Sequence, residues 1–101
     1  MKLTLTILTV AATLFASSAS AFDPADLQKL KDTNKCLRCD LTGAYMLGAD
    51  LKGANLRGAN LEDADLGGAY LMDVNLGYAY LNGAILCNTT MPDGSVIYSG
   101  C

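Results

Sequence analysis

The sequence predicts an all-β solenoid that repeats every five residues. Three observations carry this. A leucine or methionine falls on every fifth residue without a break: Leu41, Met46, Leu51, Leu56, Leu61, Leu66, Leu71, Leu76, Leu81 and Leu86. Two places before each stands a small residue or valine: Cys39, then Ala44, Ala49, Ala54, Ala59, Ala64, Ala69, Val74, Ala79 and Ala84. Between the two lies an outward-type residue, often Asp or Asn, and Gly usually closes the unit. A period of five matches neither a 3.6-residue helix nor a two-residue strand. It marks a repeat architecture, in which each unit packs on its neighbours.

In an extended chain, alternate side chains share a face. The small residue and the leucine therefore point the same way, and the residue between them points opposite. A continued strand would next turn Gly inward. The chain must turn instead, and Gly accepts the backbone angles of a tight turn. Each pentapeptide is then one short side and one corner. The segments ADLKG (49–53), ANLRG (54–58) and ADLGG (64–68) resemble the pentapeptide-repeat motif A(D/N)LXX. The resemblance extends over about half of the chain. It implies a right-handed quadrilateral β-helix, four pentapeptides per coil, of about 2.5–3 coils. With that coil, Leu41, Leu61 and Leu81 stack, as do Met46, Leu66 and Leu86. Leu51 and Leu71 would continue to Met91, and Leu56 and Leu76 to Val96, carrying the phase into the tail beyond Pro92.

Four segments follow. Residues 1–21 read as a secretory signal peptide: a positive start at Lys2, an apolar stretch from Leu3 to Phe15, and a small-x-small site at Ala19–Ala21. Residues 22–38 form an N-terminal cap, 39–88 the repeats, and 89–101 a C-terminal cap or tail. The expected location is periplasmic or extracellular, with no transmembrane segment after cleavage. The cap should hold a short helix from Pro24 to about Asp32. Asp23 is a good N-cap, Pro24 suits the first position, and Asp26 favours the first turn. Phe22 and Leu27 have the spacing of a hydrophobic staple. Such a helix would cover the open end of the first coil.

Cys36, Cys39, Cys87 and Cys101 are the expected disulfide cysteines. Their residues alone leave three pairings open. On the coil implied by the resemblance, the two groups lie about two coils apart, and the local pairs Cys36–Cys39 and Cys87–Cys101 are expected. Paired cysteines at the ends resemble those of secreted pentapeptide-repeat proteins. A CxxC can also be a redox motif, but here it lacks βαβ surroundings. Four cysteines can hold zinc, though without histidine.

No histidine occurs, which removes the commonest general base and metal ligand. No catalytic residue, metal or cofactor is expected. The outward residues carry what distinguishes this chain. Glu62, Asp63 and Asp65 cluster on one side, with Lys52 and Arg57 expected on the opposite side. Tyr78 and Tyr98, twenty residues apart, would stack on adjacent coils if the tail keeps phase, with Tyr80 beside them. Exposed tyrosines often mark interfaces. These six, Tyr78, Tyr80, Tyr98, Glu62, Asp63 and Asp65, are the candidate interaction residues.

The leading functional expectation is an exported, non-catalytic protein-interaction or structural module. Its partner would be a protein, the cell envelope or another copy of the chain. Two alternatives remain beside it. Some members of the resembled family inhibit DNA gyrase by resembling DNA, but this chain is short and only mildly acidic, and it carries an export signal, so nucleic-acid mimicry fits poorly. Thiol, disulfide or metal chemistry at the cysteines is the other.

Overall fold

The computed structural model describes residues 21–101; the expected signal peptide at 1–21 lies almost wholly outside the described residues. The expected helix is present as α1 (Pro24–Thr33), and it ends one residue later than the sequence suggests. Asp23 caps it, accepting a hydrogen bond from the Ala25 N–H, and Asn34 closes it in the left-handed conformation. Leu30 is buried, while Phe22 and Leu27 pack half-buried against the core. The chain before α1 runs along the first turn of the repeats. There the N–H groups of Ala21 and Asp23 donate to the carbonyls of Thr42 and Asp40. Asp26 completes this join by accepting the Asp40 N–H at 2.8 Å.

The repeats return beside themselves every twenty residues. Parallel bridges join Lys35 to Asn55, Asp40 to Asn60, Tyr45 to Asp65 and Asp50 to Tyr70, and the same register continues to the bridge between Tyr70 and Thr90. Four pentapeptides therefore make one turn. This register begins before residue 39 and ends after residue 88, so it overlaps both segments read as caps. Inside each unit, the small residue's N–H bonds to the carbonyl of the leucine three residues before, as Ala44 does to Leu41. Every fifth residue from Arg38 to Asn88 has a positive φ, the third position of a type II turn.

The preference for Asp or Asn has a local cause. The side chains of Asp40, Asp50, Asn55, Asn60, Asp65 and Asn75 each accept the backbone N–H two residues on. This bond satisfies an amide that the corner points away from the neighbouring turn.

The core is a column of leucines floored by alanines. Leu41, Leu56, Leu61, Leu66 and Leu71 are fully buried, each contributing about 1.5–3 kcal/mol by leaving water. Thr89 is buried on the alanine side and donates its hydroxyl to the Leu66 carbonyl at 2.7 Å. Leu76 and Leu81, on the last turn, are only half-buried.

The tail departs from the expected register. The coil persists as far as Met91, which packs on the core, and Pro92, whose carbonyl accepts the Asp73 N–H. The chain then reverses at Gly94. It returns as β2 (Val96–Ser99), antiparallel to β1 (Leu86–Thr90), with Leu86 opposite Ser99 and Thr90 opposite Val96. Val96 is therefore exposed and does not stack on Leu76. Tyr98 lies opposite Cys87 and does not stack on Tyr78. The physical reason is the turn at MetProAspGly. Asp93 accepts both the N–H and the hydroxyl of Ser95, and the Met91 N–H bonds to the Ser95 carbonyl, so the chain doubles back there.

Two measurements test this description. Leu27→Pro breaks α1 inside its first turn, and thermal unfolding should show the whole domain melting lower, since α1 covers the end of the core; an unchanged melting temperature would separate cap from core. Hydrogen bonds from Ser95 hold the Asp93 carboxyl below its ordinary 3.8. A lowered carboxylate contributes stability that is present above its unfolded pKa and lost as pH falls through the folded one. NMR titration should place the Asp93 midpoint below 3.8, and Ser95→Ala should raise it.

Candidate binding groove

One corner of the repeats carries a groove. It is lined by Leu37, Arg38, Arg57, Gly58, Tyr78 and Tyr80 and encloses about 320 Å³. The register builds it. Arg38, Gly58 and Tyr78 fall twenty residues apart on one corner, as do Leu37, Arg57 and Gly77. The Arg38 N–H bonds to the Arg57 carbonyl at 2.8 Å, and the Gly58 N–H to the Gly77 carbonyl at 2.7 Å. Stacked positions on a hydrogen-bonded ladder lie about 4.8 Å apart, so side chains twenty residues apart are brought side by side.

Gly58 makes room for the stem of Arg38, while Gly77 leaves ordinary contact distance to Arg57. A Cβ built on Gly58 would stand 3.0 Å from the Arg38 Cγ. One built on Gly77 would stand 3.7 Å from an Arg57 terminal nitrogen. The Arg57 guanidinium lies over the Tyr78 ring, 4.6 Å from its centroid. Such a pair is worth about 0.5–1 kcal/mol when exposed, enough to favour this orientation of the two groups. Tyr78 is 77% exposed and Tyr80 58%. Among the described residues no ion pair reaches either guanidinium.

Backbone strain gathers here as well. Among the described residues, six other than glycine have positive φ: Asn34, Arg38, Asp63, Asp73, Tyr78 and Asn88. Asn and Asp tolerate that conformation; bulky side chains do not. The two bulky ones, Arg38 and Tyr78, both line the groove.

The other candidate residues lie elsewhere. Tyr98 is exposed on β2 and is not part of this groove. Glu62 and Asp63 form the next corner, and Asp65 the face beyond it. Asp65 is half-buried and bonds the Gly67 N–H at 3.0 Å, while Asp63 folds its carboxylate onto Gly83. Lys52 sits two corners from Glu62. Arg57 sits only one corner away, not on the opposite side, because five residues advance the chain a quarter turn. Sequence reasoning missed Leu37 and Arg38, which stand inside the CxxC. Their twenty-residue spacing to Arg57 and Gly58, and that of Gly58 to Tyr78, was the available signal. The cysteines pair as Cys36–Cys39, with Cα atoms 5.3 Å apart, and Cys87–Cys101, 5.0 Å apart.

The family model for pentapeptide repeats matches residues 36–73 with eight copies. Among solved structures, the chain is similar to the pentapeptide repeat protein Rfr23 from the cyanobacterium Cyanothece 51142. That match has 48% identity over 50% of this chain and 34% of that one, with a TM-score of 0.49. It is similar to HetL from Nostoc sp. strain PCC 7120, a pentapeptide repeat protein involved in heterocyst differentiation regulation. Here identity is 27% over 62% of this chain and 43% of that one, with a TM-score of 0.27. It is also similar to alr5209, a pentapeptide repeat protein from Nostoc PCC 7120. Identity is 32% over 65% of this chain and 77% of that one, with a TM-score of 0.28. The chain thus spans 34% of the length of Rfr23 and 43% of that of HetL. No curated protein matches it. With the repeat motifs and eight matched copies in hand, the chain belongs to the pentapeptide repeat family.

The strain at Tyr78 is measurable. Denaturant unfolding should find Tyr78→Gly more stable than Tyr78→Ala by about 1 kcal/mol, because both lose the ring contact but only glycine relieves the left-handed backbone. Equal stabilities would remove strain as a feature of this corner.

Proposed function

We propose that this chain is a small exported module that binds a partner through the Tyr78–Tyr80 edge and performs no chemistry of its own. In this reading the repeats form a right-handed quadrilateral β-helix of about 2.5–3 coils, which presents outward side chains on rigid rungs. One observation carries the proposal. Two exposed tyrosines and both arginines of the chain converge on one groove, held by stacked hydrogen bonds and by strained backbone. Tyr and Arg are the residues most enriched where binding energy concentrates, and strained backbone gathers at functional sites. Export rests on the leading segment, with its positive start, apolar stretch and small-residue site. Disulfides at both ends of the repeats suit an oxidising compartment.

The alternatives draw less support. A DNA mimic presents acidic surface, whereas the groove carries guanidinium groups. Thiol or metal chemistry would need cysteine sulfurs that are joined here in two disulfides.

Photo-crosslinking in cells tests the reading. A photo-reactive phenylalanine analogue at Tyr80 should capture a specific protein. The same group at Tyr45, 70% exposed on another face, should not. Equal capture at both positions, or none at Tyr80, would overturn it.

A further inference from the structure

The last turn of the repeats ends on an edge that only half the tail protects. In the preceding turn, the Leu56 N–H donates to the Asn75 carbonyl and the Leu61 N–H to the Tyr80 carbonyl. One turn later, the equivalent groups have no partner among the described residues. These are the N–H groups of Leu76, Tyr78 and Leu81 and the carbonyls of Val74 and Ala79. β2 covers the rim only along Leu86–Thr90.

Exposed edges are ordinarily blocked by charge, proline or a bulge. From Val74 to Gly83 the chain has neither a charge nor a proline, and no charged residue stands between Asp73 and Asp93. The edge is therefore open to strand addition. The half-buried Leu76 and Leu81 lie on its inner side, and the exposed Tyr80 on its outer side. An added strand would meet an apolar surface inward and, outward, lie above the Tyr78–Tyr80 rim of the groove, and so would alternate apolar and polar residues.

The groove specifies the polar residues. Arg57, one turn below this edge, holds a guanidinium with no ion pair among the described residues in a chain of net charge -3, whereas Arg38 lies a further turn down, out of reach of an added strand. A guanidinium binds a carboxylate through two parallel hydrogen bonds, and the ring of Tyr78 already orients that of Arg57. Resting on the interaction-module reading, we propose that the edge at Tyr78–Leu81 accepts an extended acidic peptide segment as an added strand. Its backbone bonds to the Tyr78 N–H, the Ala79 carbonyl and the Leu81 N–H, its apolar residues cover Leu76 and Leu81, and a carboxylate faces Arg57, whose guanidinium reaches the ring of Tyr78 one turn above its own backbone. A second copy of this chain is the rival occupant. It would bring an uncharged last turn to the same edge and offer Arg57 no carboxylate from it.

The test uses the disulfide-bonded protein and a fluorescein-labelled octapeptide of alternating Asp and Val, followed by anisotropy at low salt. Exchanging Asp for Asn in the peptide should weaken binding about tenfold, as should Arg57→Gln in the protein, where the side chain is exposed and circular dichroism checks folding. N-methylation of alternate peptide amides should abolish binding. The bound peptide should also slow hydrogen exchange at the Tyr78 and Leu81 amides. Equal binding of the N-methylated peptide would overturn strand addition, and equal binding of the Asn peptide would overturn carboxylate recognition. Self-association in sedimentation, with those amides protected in the absence of peptide, would assign the edge to a second copy. If Tyr80 captures a partner in cells but the peptide does not bind, the acidic strand is wrong and the interaction module stands. If neither occurs, both fall.

Discussion

A left-handed residue at every fifth position is the constraint on which the rest of this structure depends. Each corner from Arg38 to Asn88 takes a positive φ, and each such residue's N–H, as far as Asp73, points to the turn above it. That one backbone feature closes the corner, sets the twenty-residue return and stacks leucine on leucine. It also explains the composition. Glycine stands at most of these corners because it meets no Cβ penalty there, and Asn or Asp stands at three others because they tolerate the same region. Only where a corner departs from both rules, at Arg38 and Tyr78, does the sequence place a side chain whose reason is not the fold.

The repeat was legible in the sequence because every unit says the same thing. Ten phased leucines or methionines with a small residue two places before each left no competing period, and the helix was announced by Asp23 and Pro24. The disulfide pairs followed once the coil was assumed. The tail was harder. Met91 and Val96 fall in phase with the leucine columns, and periodicity cannot distinguish a coil that continues from a chain that doubles back. Local turn chemistry decided between them: Asp93 binds Ser95 and Gly94 takes a positive φ, and these short-range bonds outweighed the burial that Val96 would have gained. Tyr98 moved with it.

The groove was only partly legible, for a different reason. Tyr78 and Tyr80 stood out as aromatic residues at outward positions. Arg38 was hidden inside CxxC, a motif that draws the eye to its sulfurs, and Arg57 was assigned to the wrong side. Both belong to one site because the structure multiplies sequence distance by the coil. Residues twenty apart touch, while residues five apart face different directions. A reading along the chain groups Glu62, Asp63 and Asp65 as neighbours, yet the structure gives Asp65 to the Gly67 turn and Asp63 to Gly83. Their proximity in sequence is a consequence of building corners, whereas the arginine pair is proximity that the repeat did not require.

The asymmetry of the two ends follows from how each is tied. At the start, residues 21–23 and Asp26 bond to the Asp40–Thr42 rim, and Thr33 bonds to Lys35, so two faces of the first turn are closed. At the other end the tail could in principle lie over any face, but the Cys87–Cys101 disulfide holds Cys101 beside the corner at Cys87. A bridge over fourteen residues constrains the unfolded chain by about 3 kcal/mol, so it stabilises a thin protein. The same bridge keeps β2 on the Leu86–Thr90 face and away from Ala79–Leu81. Solvent can satisfy the backbone groups left there, so the opening costs little in hydrogen bonds. Its cost lies in the partial exposure of Leu76 and Leu81. That exposed apolar strip adjoins the strained Tyr78 and the stacked Arg57, and one covering strand would bury the leucines and satisfy the edge together.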